Sequence, residues 1–113
     1  IHNPIDSHVV KSAIKTFGAS NQLEMVDEEC GELLQAINKL KRKGGIINGE
    51  IVKPTNASSI DYCKAYWNLC SEVADMKIMM AQLEEMLSKE AIDLSAERKI
   101  ARLKKRIDKI IIP

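Results

Sequence analysis

Four carboxylates stand inside runs that otherwise read as amphipathic helices, and that conflict limits how this chain can fold. Glu29 and Glu32 lie in the stretch QLEMVDEECGELL, Gln22 to Leu34, and Glu72 and Asp75 lie in SEVAD, Ser71 to Asp75. Residues three apart share a helix face, so each pair projects to one side of its helix. Taking Leu23 as zero and about 100° per residue, the apolar stripe of the first helix centres near ~320°, Glu29 falls at ~240°, Glu32 at ~180° and Glu28 at ~140°. Gln22, Met25 and Ala36 fall on the same flank as Glu29. Counted from Trp67, Asp75 lies near ~80° and Glu72 near ~140°, in the same arc as Met79, Leu83 and Met86 at ~100° to ~160°. A carboxylate in an apolar row must be neutralised, hydrogen-bonded or bound to a cation, because an isolated buried charge is very costly. If the two helices pack side by side, all four carboxylates converge.

The remaining pattern supplies the helices that would do this. Asn3-Pro4 has the form of a cap followed by a first helical residue, and Ile5, Val9, Val10, Ala13, Ile14 and Phe17 recur at helical spacing up to Gly18. Ser20 is placed to cap a second helix with a stripe of Leu23, Val26, Cys30, Leu33, Leu34, Ile37 and Leu40, a basic last turn and Gly44 as its stop. Ile46-Ile47, Asn48-Gly49, Ile51-Val52 is the short-range signal for a hairpin with a type I′ turn. The Thr55 to Ser59 cluster, with Ser58 and Asp61 at capping-box spacing, predicts the start of a third helix running to about Ser88. Glu90 to Leu94 reads as a connection, and Ser95 as the cap of a fourth helix with Ile100, Leu103, Ile107, Ile110 and Ile111 on one face. The expected fold class is all-α: a four-helix bundle with a short β-hairpin or loop insertion between helices two and three, residues 1–113 forming one domain.

Composition narrows the partners. Seventeen basic residues against sixteen acidic give a net charge of +1, so there is no global basic field to mark a dedicated nucleic-acid binder. Cys30, Cys63 and Cys70 are odd in number and form no CxxC pair, which favours small core side chains and a reducing, cytoplasmic setting over a disulfide framework. No apolar run approaches the roughly 18 residues of a membrane span, and no secretory signal pattern opens the chain.

The candidate site is all oxygen. His2 and His8 are the only histidines, and neither completes the E-x-x-H pattern of a di-iron bundle. By projection Cys30 and Cys70 point into the apolar stripes, away from the acids. Hard ligands without His or Cys select Mg²⁺, with Mn²⁺ as the alternative. Mg²⁺ on carboxylates keeps waters and takes phosphates as its other ligands, which points to phosphoanhydride hydrolysis. Glu28, angled away from the core, is the candidate to orient or deprotonate the attacking water; a solvated surface role fits it equally. The competing account of the acids is ordinary ion pairing with Lys39, Lys41 or Lys77.

The pair E-E-C-G-E at Glu28 to Glu32 and E-V-A-D at Glu72 to Asp75, with Gly18 and Gln22 upstream and the basic NKLKRK run, resembles the MazG-like all-α nucleoside triphosphate pyrophosphatase superfamily, in the small phage and bacterial type. The similarity covers roughly Ile5 to Leu87, and the RKIARLKKRI tail also looks like tails of such members. The resemblance implies Mg²⁺-dependent cleavage of a (d)NTP between its α and β phosphates, giving a monophosphate and pyrophosphate. It further implies Glu29, Glu32, Glu72 and Asp75 as metal ligands, Glu28 as an additional acid, and a homodimer or homotetramer. Residues 33 to 71 separate the half-motifs, longer than in compact members; the excess is the Gly44 to Asn56 insertion.

Lys39 and Arg42 are placed to reach phosphates, although a basic last turn also complements the helix dipole. Of the clustered aromatics Tyr62, Tyr66 and Trp67, Trp67 is the candidate for stacking on a base, the alternative being core or interface. Gln22, seven residues before Glu29 and about 10 Å along the same face, could read a base edge. Two other functions stay open: a non-catalytic helical interaction module docking through helix four, and a nucleic-acid accessory using Arg98 to Lys109, for which a solvated basic face is the blander account.

Overall fold

The computed structural model describes residues 3–111, so His2 lies outside it. The order is α1 (Ser7–Phe17), α2 (Ala19–Arg42), β1 (Ile46–Ile47), β2 (Glu50–Ile51), α3 (Ile60–Met86) and α4 (Lys89–Ile111). This is the expected all-α, four-helix architecture with a two-stranded insertion between the second and third helices. Among the described residues, no helix is long and apolar enough to cross a membrane.

Several boundaries differ from the sequence expectation. Helix α1 is capped by Asp6, whose Oδ1 accepts from the backbone N–H groups of His8 (2.9 Å) and Val9 (3.2 Å). The Asn3 side chain instead closes a local turn by accepting from the Ile5 N–H. Ser20 does not cap α2. Gly18, at φ +87°, joins α1 to α2 in a single residue, so Ser20 is already helical; a side chain would strain that conformation. At α3 the cap is Ser59, whose Oγ accepts from the Tyr62 N–H at 3.1 Å, while the Ser58 hydroxyl is taken by the Thr55 N–H. The stretch Glu90 to Leu94 is helix, not connection. Ser88 Oγ accepts from the Ala91 N–H at 3.2 Å, and Glu90 lies in the first turn, where its charge complements the helix dipole.

The hairpin forms as the dipeptide signal predicts. Ile46 pairs with Ile51 and Ile47 with Glu50, and Asn48 and Gly49 both take positive φ, 52° and 78°, as a type I′ turn requires. The Tyr62 hydroxyl donates to the Val52 carbonyl at 2.5 Å, and Lys43 meets Asp61 at 2.6 Å, so the insertion is tied to the first turn of α3.

Helices α2 and α3 run antiparallel. Gln22 meets Gln82 at one end, Lys43 meets Asp61 at the other, and Glu29 and Glu32 meet Glu72 between them. Of the apolar stripe Leu40 is buried and Val26, Leu33 and Ile37 are half-buried, but the face that α2 presents to α3 is centred to one side of it. Its buried residues are Gln22, Ala36 and Leu40, near ~220° to ~260° on the projection above, whereas Leu23 and Leu34 are exposed and Cys30 is solvent-facing. The packed face is therefore turned toward Glu29, which lies at its centre instead of its border. Cys70 is exposed too and Cys63 is half-buried, so the cysteines are not the small core side chains their neighbours suggested. Helix α1 adds Val10 to the core, and α3 adds Tyr62, Ala65 and Met79. Helix α4 buries no residue at all.

Candidate metal centre between α2 and α3

The packed face of α2 repeats every seven residues as Gln22, Glu29, Ala36 and Lys43, and the opposing face of α3 descends as Gln82, Asp75, Asn68 and Asp61. Seven residues are nearly two helical turns, so each series forms a column, and antiparallel packing sets the columns against each other. The end rungs are observed directly: Gln22 Nε2 donates to Gln82 Oε1 at 2.5 Å, and Lys43 pairs with Asp61. The acidic rungs lie between a neutral amide pair and an ion pair.

Glu29, Glu32 and Glu72 each bring a carboxylate oxygen to within 4.8 Å of the others. Glu29 and Glu72 are half-buried and Glu32 is exposed. One oxygen of Glu29 and one of Glu72, the Oε2 in each, is buried without a hydrogen-bond partner. Such an atom carries the full cost of desolvation unless a cation or a proton satisfies it. Burial raises the Glu29 pKa above its ordinary value, and the negative charges of Glu32, Asp75 and Glu72 raise it further. Burial also raises Glu72, followed by the charges of Glu32 and Asp75. Asp75, half-buried on the same arc, thus adds its charge to the cluster while standing outside the three-residue group. The only ion pairs among the described residues are Lys11–Glu85 and Lys43–Asp61, so pairing with Lys39, Lys41 or Lys77 does not account for these acids.

An open cleft adjoins the cluster. Glu32 and Glu72 form one end of its lining, and Asn68, Asn38, Lys39 and Arg42 continue it toward the C-terminus of α2. Anionic oxygens and cationic side chains therefore share one surface. Lys39 and Arg42 stand seven and ten residues beyond Glu32, about 10 and 15 Å along the helix, and neither is in an ion pair among the described residues.

The other sequence candidates are placed elsewhere. Gln22 is only 6% exposed, and its amide N–H is committed to Gln82. Trp67 is 61% exposed, packed edge-on against Tyr66 at 5.0 Å, and does not line the cleft. Glu28 is exposed and borders a separate depression with Phe17, Asn21 and Met25. Asn68 and Gln82 are the polar residues the sequence reading missed. The signal for both was present, since they stand seven residues to either side of Asp75.

Fold and site together define an all-α chain that gathers carboxylates between two antiparallel helices beside a cationic cleft. Comparison with protein families, with curated proteins and with solved structures finds no match.

Proposed function

We propose that the chain is a Mg²⁺-dependent nucleoside triphosphate pyrophosphohydrolase that converts a (d)NTP to a (d)NMP and pyrophosphate. The observation that carries this reading is the pair of buried, partnerless oxygens on Glu29 and Glu72, in a cluster that a hard divalent cation would satisfy. The motif resemblance supplies the reaction class, and the cationic continuation of the cleft supplies a place for a polyphosphate.

In this reading Glu29, Glu32 and Glu72 hold Mg²⁺, or Mn²⁺ in its place, and Asp75 adds a fourth carboxylate. Bound Mg²⁺ supplies neutralisation of phosphate charge and a lowered pKa for a coordinated water. Lys39 and Arg42 orient the phosphate chain from the far end of the cleft. Water attacks the α-phosphorus, the bond to the bridging oxygen toward the β-phosphorus breaks, and pyrophosphate leaves. The proton from that water passes to solvent at the open cleft, because Glu28, the remaining carboxylate of the motif, borders a separate depression. The three free cysteines suit a reducing, cytoplasmic setting.

The test is a pyrophosphate-release screen over standard and modified (d)NTPs. Release should require Mg²⁺ and should disappear in Glu29→Gln and Asp75→Asn variants that keep their helical circular dichroism. Undiminished turnover in excess EDTA, or no release from any member of the panel, overturns the proposal.

A further inference from the structure

Helix α4 is 23 residues long and leaves every one of them unburied, while its face of Ile100, Leu103, Ile107 and Ile110 is apolar along its length. Most helical stability in proteins comes from packing an amphipathic face, and this face packs on nothing within the chain. The whole chain reflects the missing contact. Its radius of gyration is 17.8 Å, against about 13 Å for a compact domain of this length. Its accessible surface is 9142 Å², against roughly 6,200 Å² for a compact monomer of 113 residues. The surplus of about 2,900 Å² per chain exceeds the ~1,200 to 2,000 Å² that a standard stable interface buries in total.

Charge indicates what covers α4. From Arg98 to Lys109 the helix has seven basic residues and one acidic, a surplus of six; with a total of +1, residues 1–97 carry a net charge of −5. The acidic part of the chain also carries a matching apolar stripe. Along α2 the exposed Leu23 and Cys30 alternate with the half-buried Val26 and Leu33, spaced three, four and three residues apart, and the α4 face repeats that spacing. Leu23 and the adjacent Leu34 are 50% and 60% exposed. Glu24 and Asp27 flank the α2 stripe, and Lys99, Lys104 and Arg106 flank the α4 seam. Pairing α4 with a second α4 would set cation against cation, and pairing α2 with a second α2 would set carboxylate against carboxylate. Crossing the two matches both the apolar spacing and the charge.

We propose that α4 is a dimerisation arm whose apolar seam docks on the outer face of α2 in a second copy of this chain, with reciprocal exchange of the two arms. The contact is centred about 80° round α2 from Glu29 and uses none of the clustered carboxylates, so it stands independently of the catalytic reading and is tested without a hydrolysis assay. Sedimentation equilibrium of the full chain should give twice the chain mass. Ile107→Glu and Leu34→Glu, both at exposed positions, should each yield folded monomer. Asp27→Lys, and the joint change of Lys99, Lys104 and Arg106 to Glu, should each weaken the dimer about tenfold, and their combination should restore it. A monomeric wild-type chain overturns the proposal, including one whose arm instead binds vesicles containing phosphatidylserine. A dimer broken by Ile107→Glu but indifferent to Leu34→Glu and Asp27→Lys overturns it as well, because the arms would then be pairing with each other.

Discussion

The Gln22–Gln82 rung gives the sharpest test of how the α2–α3 interface is held. Gln22 and Gln82 are 6% and 2% exposed, and one N–H···O bond of 2.5 Å links them. Replacing either alone by Met, close in shape and without the amide, leaves the other buried without that partner. Stranding a neutral polar group costs about 1–3 kcal/mol, whereas removing both partners of a pair can be nearly neutral. An unfolding entropy of about 2.1 cal/mol/K per residue gives roughly 240 cal/mol/K for this chain, so each kcal/mol moves Tm by about 4 °C. Gln22→Met and Gln82→Met should each lower Tm by about 4–12 °C, and the double variant should recover most of that loss. Thermal unfolding followed by far-UV circular dichroism reads this out, at one fixed protein concentration because the proposed dimerisation would make Tm concentration-dependent. Single losses that simply add in the double variant would refute the pairing argument. If the double variant keeps its stability but loses its preference among nucleotides, Gln22 reads the base after all.

Two further outcomes follow from the site and the insertion. Glu29 and Glu72 have carboxyls held above the ordinary value of 4.5 by burial and by neighbouring negative charge; above that pH the folded metal-free chain binds more protons than the unfolded one. Its stability is therefore greatest below the unfolded value and falls as pH rises through the raised folded values. Mg²⁺ should cancel this slope and raise Tm, and Glu29→Gln should flatten it without metal; a metal-free Tm that climbs with pH over the same window contradicts the assignment. In the insertion, a Cβ on Gly45 would meet Leu40 Cγ at 2.6 Å and the Leu40 carbonyl oxygen at 2.7 Å. Gly45→Ala should destabilise by about 1–3 kcal/mol through overpacking, checked by urea unfolding, while Gly31→Ala, whose Cβ would meet nothing beyond the local backbone of its own helix within 4 Å, should show no comparable loss.

Much of the fold was legible because its signals are local. The Asn48-Gly49 turn needs only two residues that tolerate positive φ, and the basic end of α2 needs only the dipole and Gly44. The start of α4 was misplaced because Ser88 and Ser95 are equally good caps by residue type, and which one is used depends on where α3 ends, at Met86. The acidic pairs could be recognised from their spacing, but their depth could not. Apolar periodicity ran the core stripe of α2 from Leu23 through Cys30 to Leu40; the structure buries Leu40 but leaves Leu23, Cys30 and Leu34 exposed and buries Gln22 and Ala36 in their place. A hydrophobic stripe marks a face that wants to be covered without saying by what, and on α2 part of the most apolar face is left for another surface.

That division explains why the carboxylates sit where they do. A bundle that had only its own stability to satisfy would gain from apolar side chains at 29 and 72, since buried charges without partners are costly and hydrophobic replacements are often neutral or better. The chain instead places its polar column at the α2–α3 contact and leaves Leu23, Cys30 and Leu34 of its apolar stripe exposed. Gln22 with Gln82 and Lys43 with Asp61 satisfy each other at the two ends, so those rungs set the register of the helices without need of a ligand. Glu29 and Glu72, between them, do not satisfy each other and are not satisfied by any lysine. Fixed register on both sides holds three like charges within 4.8 Å, a geometry that self-repulsion opposes and that a divalent cation would reward. The strain of the interface is thus confined to the one place where an external charge can relieve it.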